Sequence, residues 1–180
     1  MTGTPDLVIF FRRAADLTME ERTQLDEVDH LAFSEVIDTS ADSMEWVIPE
    51  LHFLGKLDGK VVSNVGLITR TILVAGKPVI IGGIGGVATH PKLQRQGYAR
   101  QLMDEAGRYM LKLPEYEFGM LFCDNIRVPY YRQCGYRVID NPIFITPKGI
   151  RQPFQDTCMV LELRGKPFPK GEVDCQGLPW

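Results

Sequence analysis

Between Gly85 and Leu102 the chain reads GGVATHPKLQRQGYARQL, and the residue types in that stretch suit the capture of an anion. An apolar run stops at His90-Pro91, a basic, glutamine-rich loop follows, and a helix is predicted to begin at about Gly97. The first N–H groups of a helix have no intrahelical acceptor, so they point outward, and the helix dipole adds a potential that favours negative charge. Gly97 lets the main chain come close to such a ligand, while Arg95 and Arg100 supply charge. Gly82, Gly83, Gly85 and Gly86 fall inside a strand and no Gly-Lys-Ser/Thr follows, so neither a dinucleotide fingerprint nor a P-loop is present. The pattern points to a pyrophosphate other than that of a nucleoside triphosphate or a dinucleotide. A plain strand–loop–helix connection is the alternative.

The composition narrows the partners. A chain of 180 residues suits a single domain, which buries roughly two-thirds of its unfolded surface. Twenty Lys and Arg against 23 Asp and Glu give a net charge of −3, which argues against a nucleic-acid partner and against an anionic membrane. The opening MTGTPDLVIFFRRAADL holds a short apolar run followed by arginines, and is expected to be neither a signal peptide nor a membrane span. Cys123, Cys134, Cys158 and Cys175 form no C-x-x-C pair, so free thiols in a reducing cytoplasm are expected, with a disulfide framework or a zinc site as alternatives. The three histidines lack metal-ligand spacing, and no metal is expected.

The elements that must position the loop follow from periodicity. LVIFFRR reads as a strand. Thr18 with Glu21 forms a capping box, opening a helix with Leu25, Val28, Leu31 and Ala32 on one face. Glu20, Glu21, Asp26, Glu27 and Asp29 are expected on its solvated face, and a second short helix is predicted over ADSMEWVI. LHFLGKL, Asp58-Gly59 and KVVSNVGLITRTILV read as a hairpin, and Ala75-Gly76-Lys77 turns the chain into PVIIGGIGGVAT. The glycines of that last strand suggest a bulge or the close approach of another backbone. A helix over about 97–112 carries Tyr98, Leu102, Ala106, Tyr109 and Leu113 on one stripe. FGMLFC is a buried strand, NIRVPYYRQ a short helix interrupted by Pro129, and YRVIDNPIFIT and TCMVLELR are further strands. The tail GKPFPKGEVDCQGLPW is too rich in Pro and Gly for a regular element.

VATHPKLQRQGYARQLM resembles the acyl-coenzyme A signature of the GNAT acetyltransferases, Gln/Arg-x-x-Gly-x-Gly/Ala, met here by Gln94, Gly97 and Ala99. VPYYRQCGYRV resembles the second signature of that superfamily, a Tyr four residues ahead of a Gly-aromatic pair, met by Tyr131 and Gly135-Tyr136. The resemblance covers nearly the whole chain. It implies a single α/β domain over 1–180 with a central mixed, mostly antiparallel sheet, splayed between two strands and flanked by helices. Within the superfamily the chain looks most like the aminoglycoside 2′-N-acetyltransferases, through the "AF" that ends the first helix, the glycine-rich lead into GVAT, the strand DTCMVLEL and the tail DCQGLPW.

The resemblance implies an enzyme that moves an acetyl group directly from acetyl-coenzyme A to an amine. Val87, Ala88 and Thr89 would offer backbone groups to the pantetheine arm. Gln94, Arg95, Gln96, Gly97, Tyr98, Ala99 and Arg100 would hold the pyrophosphate. Tyr131 would serve the departing thiolate as a proton or hydrogen-bond donor. Relatives carry an Asn seven residues before this Tyr; here Asp124 stands there, and the neighbouring Asn125 is the candidate for that contact. Relatives also place a glutamate just ahead of Gly-Val-Ala as the base and as an acceptor contact, where this chain has Gly85. Glu35 and Asp38 are the replacement bases, with a water chain to backbone carbonyls as the alternative. For a polycationic aminoglycoside the acceptor contacts would be Glu35, Asp38, Gly85, Asp156, Asp174 and Trp180, the last through its carboxylate and indole. Relatives have an acid two residues before the final Trp, where Leu178 stands here. With two acids fewer, a small two-ring acceptor of the kasugamycin kind is expected, and with it antibiotic resistance. A cytoplasmic homodimer is the expected form. The rival expectations are a GNAT enzyme for another amine (a polyamine, an amino-sugar or a peptide N-terminus) and a non-catalytic acyl-coenzyme A sensor.

Overall fold

Thr18 and Glu21 close the capping box that their spacing predicts: the Glu21 N–H donates to Thr18 Oγ1 at 3.1 Å, and the Thr18 N–H donates to Glu21 Oε2 at 3.0 Å. They open α1 (Met19–Phe33), which follows strand β1 (Val8–Arg13). The computed structural model describes residues 6–33 and 44–180. Leu25 and Val28 face the core as expected, but Leu31 is 37% exposed. Two acids also depart from the expected solvated face. Glu21 is buried against β2, where burial pushes its carboxyl up but Lys56, the Thr18 N–H and Arg12 together bring it down to about 2. Asp29 has the opposite fate: its Oδ1 is shut off from solvent without a hydrogen-bond partner among the described residues. Burial, reinforced by Asp26, pushes the Asp29 carboxyl up to about 6 from 3.8.

A carboxyl whose folded pKa is raised binds a proton more tightly in the native state. Its contribution to stability is therefore complete below about pH 4 and is lost as pH rises through 6. Asp29→Asn removes the buried charge, and is expected to raise the melting temperature at pH 7.5 on the order of 3 °C, with no gain at pH 4. Thermal melts at the two pH values check it; equal gains at both would place the cause elsewhere than in the charge.

Next come β2 (Leu51–Leu57), β3 (Lys60–Val74) and β4 (Lys77–Thr89), an antiparallel meander. Both its turns are two-residue, Asp58-Gly59 with φ 47° and 81°, and Ala75-Gly76 with φ 48° and 75°. Two positive φ values mark the type I′ turn, whose twist suits a hairpin. Lys77, expected in the second turn, is already the first residue of β4. The predicted helix over ADSMEWVI is not present in its described part: residues 44–50 are irregular. There Met44 and Val47 pack on the core and the Val47 N–H donates to Pro179 O.

The remaining elements are α2 (Tyr98–Lys112), β5 (Phe118–Cys123), α3 (Val128–Gln133), β6 (Arg137–Val138), β7 (Ile143–Ile145), β8 (Gln152–Pro153), β9 (Thr157–Glu162) and β10 (Val173–Asp174). They form one mixed sheet in the order β6-β9-β5-β4-β3-β10-β7-β8, with β2 and then β1 added on the first half of β3. Two pairings are parallel, β4 with β5 and β10 with β7; the rest are antiparallel. Alternation along β4 divides the core in two. Gly82 and Ile84 face α2 and its Met110, while Gly83 and Gly85 face the C-terminal tail. The tail was expected to lack regular structure, yet Val173-Asp174 pairs with both β3 and β7. Pro129 sits in the first turn of α3, where its missing N–H costs nothing, so it starts that helix rather than interrupting it.

Candidate active site

The site begins where the sheet opens. β4 and β5 pair only from Ile81–Ile84 to Phe118–Leu121, and beyond that point they separate. On its other edge β4 stays with β3, but the register shifts: Gly85 lies opposite Gly66 and Ala88 opposite Asn64, so Gly86 and Val87 together face Val65. This is a β-bulge, with Gly86 at φ 56°, a value that glycine adopts without strain. The main chain of 85–89 thus borders a gap on its β5 side. Such an edge can bond an extended, amide-bearing ligand as a further strand would.

Below the gap β4 runs into the basic loop. Arg95 and Gly97 have φ of 62° and 82°, and Gly97 is the N-cap of α2. The first main-chain bond of the helix is from Gln101 N–H to Gly97 O, and the N–H groups of residues 95–100 take no main-chain acceptor among the described residues. Gln94 folds back to donate to Thr89 O, and Tyr98 Oη donates to Gln96 Oε1. Arg95 and Arg100 are exposed, and neither joins an ion pair among the described residues. Six N–H groups without a main-chain acceptor, with two exposed cations that join no ion pair among the described residues, could hold a pyrophosphate.

On the β5 side comes Tyr131, on α3, a member of the buried cluster against which Val87 packs. The Gly-aromatic pair behind it is a Schellman cap: the Gly135 N–H donates to Arg132 O, the Tyr136 N–H donates to Tyr131 O, and Gly135 has φ 86°. The cap fixes the short helix, and buried Tyr136 holds the Tyr131 ring in an edge contact at 6.4 Å. At the other end Asp124 accepts the Arg127 N–H and pairs with its guanidinium. The Tyr131 hydroxyl has no hydrogen bond to any described residue, and burial, with Cys123 nearby, raises its pKa well above the usual range. It stays protonated as a donor. Asn125 accepts a bond from Thr157 Oγ1 at 2.7 Å, beside this end of β5.

Thr157 pairs with Cys123, and Asp156 just ahead of it stands within electrostatic reach of Cys123 and Asp124. Burial, and Asp124 after it, raise the Asp156 carboxyl. Asp156 also lines a cavity of about 310 Å³ with Asn141, Phe144, Phe154, Gln155 and Thr157. Asp174 does not line it: the Asp174 carboxylate accepts the Gln176 N–H and pairs with Arg151, which together outweigh its burial and lower its pKa. Glu35 and Asp38 lie outside the described residues. A Cβ on Gly85 would stand 2.9 Å from the Trp180 carbonyl carbon, so the folded-back tail occupies the space of a side chain there.

That tail is held firmly. The Trp180 indole is 4% exposed, donates to Met120 O at 3.3 Å and packs on Phe122. Arg70 lies over the indole ring and donates to Leu178 O at 2.7 Å. Sequence reasoning missed Arg70, whose only signal was a lone cation in an apolar strand. It also missed Ser63 and Asn64, two polar residues amid KVVSNVGLI that turn out to be buried beneath the bulge. The four cysteine thiols are all pushed up by burial, Cys123 to about 11 and Cys175 to about 12. None is a thiolate ready to carry an acyl group.

A family model described as an acetyltransferase (GNAT) domain matches residues 19–139. Among solved structures the fold is similar to that of YhbS, a GNAT family N-acetyltransferase from Escherichia coli in complex with CoA, at 19% identity and TM-score 0.62 over 99% of each chain. A GNAT family acetyltransferase from Brucella melitensis in complex with acetyl-CoA gives 19% identity and TM-score 0.58, over 92% of this chain and 94% of that one. An acyl-CoA N-acyltransferase from Pseudomonas aeruginosa gives 18% and 0.61, over 87% and 99%. At these identities the likeness is one of fold.

Proposed function

Because the chain belongs to the GNAT family of acetyltransferases, we propose that it transfers the acetyl group of acetyl-coenzyme A directly to an amine of a small cationic acceptor, an aminoglycoside of the two-ring kind. The observation that carries this reading is that β4 and β5 stop pairing after Ile84 and Leu121, with the bulge and the N–H groups of 95–100 following on the β4 side and Tyr131 following β5. A coenzyme bears a pyrophosphate, an amide-bearing arm and a thioester in that order, and the opening offers a partner to each. Two proteins of the same fold hold CoA or acetyl-CoA. With every cysteine thiol raised by burial, the neutral amine itself attacks the thioester carbonyl, the nitrogen gives up a proton to water, and the tetrahedral centre collapses to the amide as the C–S bond breaks and the thiolate leaves towards the Tyr131 hydroxyl.

The acceptor class is read from the cavity that Asp156 and Thr157 line, Thr157 being the partner of Cys123 at the end of β5. Asp156 offers charge to an ammonium group, Asn141, Gln155 and Thr157 offer hydrogen bonds to hydroxyls, and Phe154 and Phe144, the latter with the Arg151 guanidinium over its ring, offer apolar contact to a sugar ring. About 310 Å³ is at the small end of ligand pockets, which favours two rings over three or four. A panel of amines with acetyl-coenzyme A and a thiol-detecting dye tests the proposal. The expected result is a kcat/KM for a kasugamycin-type aminoglycoside at least about tenfold above spermidine, glucosamine and a peptide N-terminus. Asp156→Asn is expected to raise KM for that acceptor about tenfold with little change in kcat. Preference for the polyamine or the peptide would replace the acceptor assignment.

A further inference from the structure

Ser63 and Asn64 are 0% and 1% exposed, side by side in the middle of β3, where a purely apolar pair would pack at lower cost. Their polar atoms have specific partners on β4. Ser63 Oγ donates to Ala88 O at 2.8 Å and also meets Thr89 Oγ1 at 2.8 Å. Asn64 Nδ2 donates to Gly86 O at 2.9 Å. Because that amide nitrogen faces Gly86, Asn64 Oδ1 faces His52 Nδ1 at 3.1 Å, and the imidazole must carry its proton on Nδ1. Burial lowers the pKa of His52, against hydrogen bonds to Asn64 and to the Pro49 main chain that raise it, and the proton that meets Asn64 Oδ1 is the one on Nδ1. The chain of donors runs from His52 to Asn64 to the carbonyl of the bulge.

We propose that Ser63 and Asn64, with His52 behind them, are positioning residues that aim the main chain of Val87 at the acetyl thioester. The carbonyls on either side of Val87 are both drawn towards β3. Beyond the bulge the ladder is regular: the His90 N–H bonds Val62 O, so counting back residue by residue puts Ala88 on the β3 side and the N–H and C=O of Val87 on the gap side. A bulge is a local break in the ladder and has no ladder bonds of its own to fix it. The buried side chains provide that fixing. An N–H aimed in advance at the thioester carbonyl stabilises the charge that grows there, and a misplacement of about 1 Å costs on the order of 10²-fold in rate. The inference rests on the coenzyme placement given above and adds to it the residues that shape its upper half.

The test separates the two ends of the coenzyme. Adenosine 3′,5′-bisphosphate probes the 94–100 loop alone, whereas acetyl-coenzyme A also needs the bulge. Asn64→Asp removes both amide donors in the same volume, and Ser63→Ala removes one hydroxyl with little risk to folding. Each is expected to weaken acetyl-coenzyme A binding about tenfold, to leave the bisphosphate within about twofold of the wild type, and to speed amide exchange at 86–88. His52→Leu, which frees the Asn64 amide to flip, is expected to act likewise, and His52→Asn, which keeps a donor near Nδ1, to restore binding. Unchanged acetyl-coenzyme A affinity in Ser63→Ala and Asn64→Asp overturns the proposal. So does an equal loss for both ligands, which is the mark of a general loosening of the fold. Should Asn64→Asp not fold, Ser63→Ala decides. If the wild type binds neither ligand, the coenzyme placement itself is what fails.

Discussion

Gly97→Glu is expected to abolish acetyl-coenzyme A binding, weakening it at least about 100-fold in a protein that still folds. Gly97 has φ 82° and caps α2, so any other residue there takes a strained conformation, at about 1–3 kcal/mol. Space is not the obstacle, because a Cβ at this position would meet nothing within 4 Å. Charge is. A glutamate would set its carboxylate among the N–H groups of 95–100 and between Arg95 and Arg100, where it satisfies the donors and repels the pyrophosphate. Gly97→Ala separates the two effects, since it carries the strain without the charge and is expected to cost about tenfold or less. Titration calorimetry reads both variants. Thermal melts give a second reading: ligand at 100 times Kd stabilises by about 2.7 kcal/mol, which raises the wild-type melting temperature by about 5–10 °C. Gly97→Glu should show no rise. A folded Gly97→Glu protein that binds acetyl-coenzyme A as the wild type does would remove the anion from this loop.

That loop was legible in the sequence because its determinants are local. A strand stop, a glycine, two arginines and a helix start all fall within a dozen residues, and the structure turns each into geometry. The same holds for the Thr18–Glu21 box and the Asp58-Gly59 turn, where the residue types carry their own hydrogen bonds and φ values. Legibility fails where a distant partner decides. Residues 44–48 have helical spacing, but the tail offers Val47 an acceptor at Pro179 O and the core takes Met44 and Val47. Val173-Asp174 is too short for any period, and it becomes a strand because β3 and β7 both present an edge to it. Ser63 and Asn64 pass unnoticed as two polar residues in an apolar run, because their partners Ala88 and Gly86 are more than twenty residues away. The glycines of β4 suggest a bulge or the close approach of another backbone, and the folded chain has a bulge at Gly86 and brings the Trp180 main chain to Gly85 and its indole to Gly83. Asp29 reads as one more acid on a charged helix until burial isolates it.

Tyr131→Phe is expected to lower kcat roughly 10- to 10³-fold while changing the affinity for acetyl-coenzyme A by less than about threefold. The split follows from where the hydroxyl stands. It has no hydrogen bond to any described residue, so its removal breaks no structural contact, and the ring keeps its packing against Tyr130 and Tyr136. In the proposed mechanism its work begins only when sulfur acquires charge. Burial raises the Tyr131 pKa above its ordinary value, which makes tyrosinate a stronger base than a departing thiolate. In the proposed mechanism the hydroxyl therefore stabilises the thiolate through a hydrogen bond and keeps its own proton through most of the reaction, and sulfur takes its final proton from water or from the attacking nitrogen, which loses one as the amide forms. Two results follow for the wild type. The kcat profile should show no tyrosine limb below about pH 10, because the raised phenol does not ionise there. A substrate whose thiolate leaves more easily should be less sensitive to the loss of the hydroxyl, so a thioester with a more acidic thiol should narrow the gap between Tyr131→Phe and wild type. Single-turnover rates on the two thioesters decide the matter. Equal losses on both, or an unchanged rate where acetyl transfer limits turnover, would make Tyr131 a packing residue and move the donor elsewhere in the gap.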